Sequence, residues 1–326
     1  MTQTLVTGGS GFIGQHLVAA LLRRGRSVRI LDVCPPSGPP AGAQYVKGSV
    51  LNPIIVEQAL DDVEEVYHLA ALPGMWMRHK EDFYNVNCRG TEIVIAAARK
   101  RGVSRLLHCS TESILFSPSC REPVVSEGIC TTPEEMPGAY TRSKMIAEQR
   151  AVQAAASGFP VVIANPTMPI GSHHRNLTPP ILMLRYFLKR RIQIYFDFVV
   201  NLVDVRDVAL GLLLVMERGQ NGHRYILGGE DISLKKLLNM LGTISGRNAL
   251  RVPISADIAQ AVAATMEFIA DHVTRRSPAA TVEGVRIAAW SKALSLEKSR
   301  RELGYAPRPI EPALREAVAC ALGWPT

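Results

Sequence analysis

Residues 7–14 read Thr-Gly-Gly-Ser-Gly-Phe-Ile-Gly, directly after the short run Thr4–Thr7, which reads as a strand. Gly8, Gly11 and Gly14 recur at every third position, where that strand meets a helix read over Gly11–Arg24. A side chain in such a turn would bar a pyrophosphate from the backbone N–H groups at the helix N-terminus. Gly14 lets the helix lie close to the sheet. Phe12 and Ile13 belong to the same loop and count among the residues expected at a dinucleotide. The next strand, Ser27–Asp32, ends in an acid 18 residues beyond Gly14, the context that turns a loose glycine pattern into a dinucleotide signal. Asp32 can accept both ribose hydroxyls and would repel a 2′-phosphate. Val33 and Cys34 supply no cation for that phosphate and Arg29 lies within the strand, so NAD is favoured over NADP.

Around this loop, short β-branched runs alternate with helical periods. Gln44–Lys47, Glu65–Leu69, Arg105–Cys109 and Val161–Asn165 read as strands. Ile54–Ala59, Phe83–Lys100 and Tyr140–Ser157 read as helices, and Cys34–Gly42, rich in Pro and Gly, as a loop. The alternation predicts an α/β fold: a Rossmann-type, doubly wound parallel sheet covered on both faces. After Asn165 it breaks down among Pro166, Pro169, Pro179 and Pro180. A helix follows over Ile181–Arg191. Residues 202–227 return to the sheet as a short strand, a helix over Val205–Glu217 and a strand over Arg224–Leu227. The expected division is a dinucleotide domain at 1–167 with the return segment 202–227, and a smaller, mostly helical substrate lobe at 168–201 and 228–326.

Composition narrows the function. Hydrophobic residues make up 47% and charged residues 20%, which supports a packed core and excludes a disordered chain. Six cysteines without a C-x-x-C pair exclude a disulfide scaffold and a zinc ribbon, and fit a reducing, cytoplasmic setting. No metal site is expected. No apolar run reaches the roughly 18 residues that cross a bilayer, and the N-terminus lacks a signal-peptide pattern, so a soluble protein is expected. The net charge of +8 permits anionic partners. Its clusters, Arg23/Arg24/Arg26, Arg99–Arg101 and Lys189–Arg191, lack interleaved aromatics, so no nucleic acid is expected.

Tyr140 and Lys144 sit four residues apart, on one face of a helix. A free tyrosine is a poor base at neutral pH. An ammonium about 4 Å away, at an effective dielectric near 20, would contribute about 4 kcal/mol and lower the phenol by roughly three pKa units at most. That approaches a useful acid–base range. The lysine can also hold a nicotinamide ribose. The spacing alone is common. It gains weight from the dinucleotide loop upstream and from Ser110-Thr111, hydroxyls at a strand's C-terminal edge where such sheets bind ligands.

Together the chain resembles the extended short-chain dehydrogenase/reductase family, also described as NAD-dependent epimerases/dehydratases. The matching pieces run nearly its whole length: residues 7–14, Asp32, His68-Leu69-Ala70-Ala71, Asn87, Ser110-Thr111, Tyr140 to Lys144, Asn165-Pro166 and residues 202–209. Within the family the pattern is nearest to the dihydroflavonol-reductase-like branch, with hopanoid-associated sugar epimerases and 3β-hydroxysteroid dehydrogenases. Trp76 and residues 224–229 contribute to that likeness. The resemblance implies that Tyr140 is the general acid/base, that Lys144 tunes it, and that Thr111 bonds the reacting oxygen. It further implies that Asn87 supports a water-linked proton path. Leu69, Ala70 and Ala71 would line the cofactor, and Asn165 and Pro166 would lie near the nicotinamide. It also implies a homodimer through the helices near 83–100 and 140–157.

Two departures stand out. Many relatives contact adenine with an acid after the third strand; here Gly48-Ser49-Val50 offers Ser49. Thr111 is followed by Glu112, as sugar dehydratases of this family carry an acid directly after the threonine. Glu112 reads either as a second acid/base group for eliminating water or, the favoured reading, as a carboxylate paired to a neighbouring cation.

Three further features stay open. Met75-Trp76-Met77 follows the fourth strand and reads equally as a hydrophobic substrate entrance or as core packing. His173-His174 has no further ligands at metal spacing, which leaves a substrate-facing or solvent role. Tyr186–Arg191 reads first as a solvated basic face, with a substrate phosphate or peripheral contact with an acidic membrane as alternatives.

The leading expectation is an NAD-dependent oxidoreductase acting on a small, apolar or polycyclic alcohol or ketone: sterol-like, isoprenoid, polyketide or polyphenol-type. The second is a nucleotide-sugar epimerase or dehydratase that returns its hydride. The third, a silent NAD-sensing protein, ranks last because Tyr140, Lys144 and Thr111 are all present.

Overall fold

In the computed structural model, which describes residues 3–36, 42–172 and 178–323, the alternating first half becomes one parallel sheet with its helices. Its elements are β1 (Gln3–Thr7), α1 (Phe12–Arg23), β2 (Ser27–Asp32), β3 (Ala43–Lys47), α2 (Pro53–Ala59), β4 (Val63–His68), α3 (Gly90–Lys100), β5 (Arg105–Cys109), α4 (Ala139–Ala156) and β6 (Val161–Pro166). The rest comprises β7 (Met168–Ile170), α5 (Pro179–Lys189), β8 (Ile192–Tyr195), β9 (Val199–Asp204), α6 (Val205–Arg218), β10 (Arg224–Leu227) and β11 (Glu230–Ser233). It closes with α7 (Leu234–Ser245), β12 (Leu250–Pro253), α8 (Ala256–Ile269), α9 (Val282–Trp290) and α10 (Ile310–Leu322).

The main sheet has seven strands in the order β10-β6-β5-β4-β1-β2-β3, all parallel. The Rossmann-type expectation is met. Strand order reverses at β1, which pairs with β2 on one side and β4 on the other. In such sheets the crevice beyond the C-terminal ends of these strands is where ligands bind.

Both faces are buried, which explains the apolar strand sequences. Val6 packs with Leu17 and Leu21 of α1 and Leu212 of α6. Its neighbour Leu5 points the other way, into a core with Val56, Val94, Ala98 and Ala151 from α2, α3 and α4. Local signals set the helix ends. Asn52 caps α2, its side chain accepting from Ile54 and Ile55 N–H, with Pro53 in the first turn. Asp204 caps α6 in the same way through Arg206 N–H.

The second half departs from expectation in detail. Leu202–Asp204, expected in the main sheet, belong to β9, which pairs parallel with β7 and antiparallel with β11. The reason lies in its alternation. Val200 and Leu202 face the C-terminal core of Leu184, Leu237, Leu238 and Leu314, while Val203 joins the α1/α6 core. The strand stitches two cores together, and only α6 and β10 return to the main sheet. The helix expected from Phe83 widens into a π-helical turn over Tyr84–Arg89 before α3. The short strands β7, β8, β11 and β12 escape sequence patterning because each has three or four residues and several carry exposed apolar positions.

Candidate active site

The glycine loop closes over the end of β1. Gly8 adopts φ +71°, and a Cβ there would stand 2.6 Å from Ala70 N. A side chain at Gly14 would overlap the Gly8 carbonyl, so α1 can seat only against a bare backbone. Gly11, the N-cap of α1, has no side chain to compete for the helix's first N–H groups. An anion finds backbone donors and the positive helix end there. Phe12 and Ile13 contribute backbone rather than side chain. Phe12 packs on Ile181 and Val205, and Ile13 packs beside them.

Asp32 ends β2 with its carboxylate held toward the loop. Oδ2 accepts Ser10 N–H at 3.0 Å and Oδ1 accepts Cys34 N–H at 3.0 Å. Arg29 is engaged elsewhere, donating to Gln44 Oε1 at 2.8 Å and to the carbonyls of Ala59 and Asp61. It therefore supplies no cation beside Asp32. Ser49 Oγ accepts Leu51 N–H at 3.2 Å, and the Val50 side chain is buried in the core against Gly90, leaving only its backbone for a ligand. Leu69 N–H donates to the Thr7 carbonyl and Ala70 N–H to Thr7 Oγ1, which lays this segment along the glycine loop; Ala71 follows, half-buried.

Tyr140 opens α4 and Lys144 follows one turn later, both brought to the ends of β5 and β6. Lys144 is buried and its Nζ donates to the Cys109 carbonyl at 2.7 Å. Thr111 lies within hydrogen-bonding reach of the Tyr140 phenol and donates to Glu112 Oε2 at 3.0 Å. The Asn165 amide donates to the Thr111 carbonyl at 3.1 Å and to Glu148 Oε2 at 2.8 Å. Phe83 meets the Tyr140 ring edge-on at 6.0 Å. Pro166 closes β6 beside Leu227. Lys144, Thr111 and Asn165 are buried, and the half-buried Tyr140 completes the cluster.

The electrostatics correct one expectation. Burial pushes the Tyr140 phenol up, and the carboxylates of Glu112 and Glu283 push the same way. Lys144 Nζ is bonded to the Cys109 carbonyl, and burial pushes its ammonium down. Among the described residues no cation pairs with Glu112. Burial raises its carboxyl to about 7, against the lowering from the Thr111 hydroxyl and two backbone N–H groups.

Asn87 sits in the π-helical turn. Its Oδ1 accepts Leu72 N–H at 2.8 Å, and its Nδ2 donates to Ser143 Oγ at 2.9 Å and to the Leu72 carbonyl at 3.5 Å. It ties the loop after β4 to α4. Trp76 Nε1 donates to Asp271 at 2.7 Å, and Lys80 bonds Glu267 and Asp271, both at 3.3 Å. The entrance loop is therefore tethered to α8 and the turn after it. His173 lies outside the described residues.

Sequence reasoning missed three groups. Glu148 continues the Tyr140–Lys144 face by one more turn, a signal that was available. It bridges Asn165 and Arg224, with Arg224 Nη1 at 3.0 Å. His68, held by Thr7 at 2.7 Å and Thr91 at 2.9 Å, is driven by burial down to about 3 and stays neutral. Glu283 reaches Tyr140 and Thr141 from α9 with no local signal.

The residues fit a dinucleotide. The glycine cradle leaves no room for side chains, Asp32 is oriented toward it, and two buried atoms near Thr111, Ser110 Oγ and Asn165 Oδ1, have no partner among the described residues.

Comparison with known proteins agrees. The family described as "NAD dependent epimerase/dehydratase family" matches residues 4–228. A Synechocystis protein provisionally named dihydroflavonol 4-reductase is 35% identical, covering 96% of this chain and 92% of its own. Sterol demethylase protein B of Methylococcus capsulatus is 29% identical, covering 97% of each chain. A farnesyl-dihydroquinoline-oxide ketoreductase of Stigmatella aurantiaca is 30% identical over 94% of this chain and 92% of that one. Among solved structures, gox2253 superposes with a TM-score of 0.84 at 31% identity, covering 99% of this chain and 98% of that one. The Thermus thermophilus UDP-glucose 4-epimerase in complex with NAD shares the fold, with a TM-score of 0.77 at 21% identity over 99% of both chains.

Proposed function

The chain belongs to the NAD-dependent epimerase/dehydratase family and is an NAD-dependent enzyme of hydride transfer; within that chemistry we propose a net dehydrogenase or reductase acting on an apolar or polycyclic alcohol or ketone. The observation that carries the substrate class is the apolar cluster beside Thr111. Ile114, Leu115 and Phe116 follow Glu112-Ser113 and are buried in it, and half-buried Met75 and Trp290 pack against them as its accessible members. Lys80, the cation beside Trp76, is neutralised by Glu267 and Asp271, which disfavours a diphosphate there. Relatives named for sterol and farnesyl-quinoline chemistry support the same class.

NAD, when bound, supplies the hydride acceptor or donor. Asp32 would accept from its adenosine ribose, and the N-terminus of α1 with the glycine loop would hold its pyrophosphate. Ser49 would lie toward the adenine and Lys144 would bind the second ribose. The Thr111 hydroxyl would turn from Glu112 to donate to the reacting oxygen. With its phenol held protonated by burial, Tyr140 Oη gives its proton to the oxygen as a ketone is reduced, and the phenolate so formed takes a proton back as an alcohol is oxidised. Asn87 acts through α4, fixing its first turn by way of Ser143, which donates to the Tyr140 carbonyl at 2.7 Å.

A second reading draws on Glu112. A buried carboxyl near pH 7, bonded to Thr111 and unpaired with any described cation, is suited to a further proton transfer. It supports redox-neutral epimerase or dehydratase chemistry in which the hydride returns to the substrate. One experiment separates the two: nicotinamide absorbance with excess NAD and two substrate pools, nucleotide sugars and lipid-soluble alcohols, with products weighed by mass spectrometry. NADH accumulation with a product two hydrogens lighter supports the dehydrogenase. Product without NADH accumulation replaces it with the redox-neutral reading.

The assembly we propose is a homodimer through the outer faces of α3 and α4, where Arg150 pairs with Glu92 at 2.8 Å. A reducing, cytoplasmic compartment is supported by six unbridged cysteines. Among the described residues no helix is long and apolar enough to cross a membrane.

A further inference from the structure

The helix α8 is built inside out. Its core side carries only small residues, Ala259 and Ala263, packed against Val285 of α9. Its large apolar side chains face solvent: Ile258 is 53% exposed, Val262 43%, Phe268 62% and Ile269 43%, with Val273 at 71% in the turn that follows. Positions 258, 262, 269 and 273 fall in one narrow sector of a helix of 3.6 residues per turn, and Phe268 flanks it. Scattered surface apolar residues need no explanation, but a row of them along one helix face does. Glu267 and Asp271 lie on the opposite side, where they hold Lys80 and Trp76 at the entrance to the cleft, and Asp257 lies in the first turn, off the row.

Charge says what the stripe fits. At its far end the chain turns at Arg275, and both Arg275 and Arg276 are exposed. At its near end α8 follows β12, whose exposed Leu250 and Val252 stand in register with exposed Ile192 and Ile194 of β8. That second apolar face is headed by exposed Lys189, Arg190 and Arg191. Each of these apolar faces carries cations at one end, which matches the boundary of an anionic lipid leaflet, where apolar side chains enter the headgroup region and arginines meet phosphates. The self-association proposed above uses α3 and α4, a different part of the chain.

We propose that the exposed face of α8 docks the enzyme on a membrane surface rich in anionic lipid. The docking stands independently of the substrate; its purpose, collecting a lipid-soluble alcohol or ketone, rests on the dehydrogenase reading above.

The test is flotation of the full chain, without substrate, with vesicles of phosphatidylcholine alone or with added phosphatidylglycerol. The expected result is a bound fraction that rises with phosphatidylglycerol and falls with salt. The pair Val262→Asp and Ile269→Asp should cut binding at least tenfold (order of magnitude). Arg275→Ala and Arg276→Ala should each cut it about fivefold. Circular dichroism and NAD affinity by calorimetry verify that the variants are folded, since none of these residues touches the catalytic cluster. Absence of binding, or binding indifferent to lipid charge or to these substitutions, overturns the proposal. Concentration-dependent self-association that Ile269→Asp abolishes, without vesicle binding, would give the face to a second copy instead. Because binding is read without turnover, failure of docking and failure of the dehydrogenase reading are distinguishable.

Discussion

Glu283 holds Thr141 twice: its Oε1 accepts the Thr141 backbone N–H at 2.7 Å and the Thr141 hydroxyl at 2.7 Å. Its Oε2 accepts Tyr140 N–H at 3.3 Å. The helix carrying Tyr140 begins at Gly138, which has no side chain for this purpose, so the first N–H groups of the catalytic helix are satisfied from α9, far along the chain. The carboxylate also sits at the positive end of that helix. Removing it with Glu283→Ala leaves buried donors unpaired and should cost about 1–3 kcal/mol. The fall in unfolding midpoint should be joined by a loss of kcat larger than the change in KM for NAD, because Asp32 and the glycine loop are untouched. Glu283→Gln keeps an acceptor for Thr141 and should restore most of kcat. A kcat that survives Glu283→Ala in folded protein would limit the residue to stability.

Glu112 makes stability depend on pH. Its carboxyl is raised by burial to about 7 from an unfolded value near 4.5. The folded chain therefore binds its proton more tightly than the unfolded chain. The resulting stabilisation is complete below about pH 4.5 and is lost as pH rises through about 7, a change on the order of 3 kcal/mol. Glu112→Gln mimics the protonated form and should flatten the unfolding midpoint across this window. An unchanged pH slope in the variant would show that another group is responsible. Loss of an inflection near pH 7 in kcat/KM would add weight to the redox-neutral reading.

What the sequence displayed was whatever is encoded locally. Strand, glycine turn, helix and terminal acid occur within some thirty residues, so Gly8, Gly14 and Asp32 were readable. The four-residue step from Tyr140 to Lys144 placed both on one face. The ionisation of Glu112 was not readable, because it depends on which cations fold nearby, and none does among the described residues. The partner of Thr141 lies 142 residues away. The pairing of β9 was hidden for a different reason. Its alternation serves two cores at once, Leu202 on one and Val203 on the other, so apolar patterning alone could not assign its sheet.

Tyr140 and Lys144 should separate chemistry from binding. Tyr140→Phe removes the proton carrier but keeps the ring that meets Phe83 edge-on. Turnover should fall about a hundredfold to ten-thousandfold, with NAD affinity by calorimetry unchanged. Lys144→Met also removes the ammonium held at the Cys109 carbonyl and should weaken NAD as well as kcat. Turnover retained by Tyr140→Phe would place the proton transfer on another residue, with Glu112 the nearest carboxyl.

Cofactor choice turns on Asp32 and on what surrounds it. Asp32→Ala removes the ribose acceptor and should lower kcat/KM for NAD about tenfold or more, the loss of one or two charge-assisted hydrogen bonds. It also strips Ser10 and Cys34 N–H of their acceptor, so Asp32→Asn, which retains one oxygen, should cost less. NADP should gain only from relief of repulsion, because Arg29 is spent on Gln44, Ala59 and Asp61. The preference should narrow without reversing. Val33 is 58% exposed directly after the acid, so adding Val33→Arg to Asp32→Ala should supply the missing cation and reverse it. Initial rates with both nucleotides measure the ratio. A reversal in Asp32→Ala alone would mean that a cation already stands beside the site.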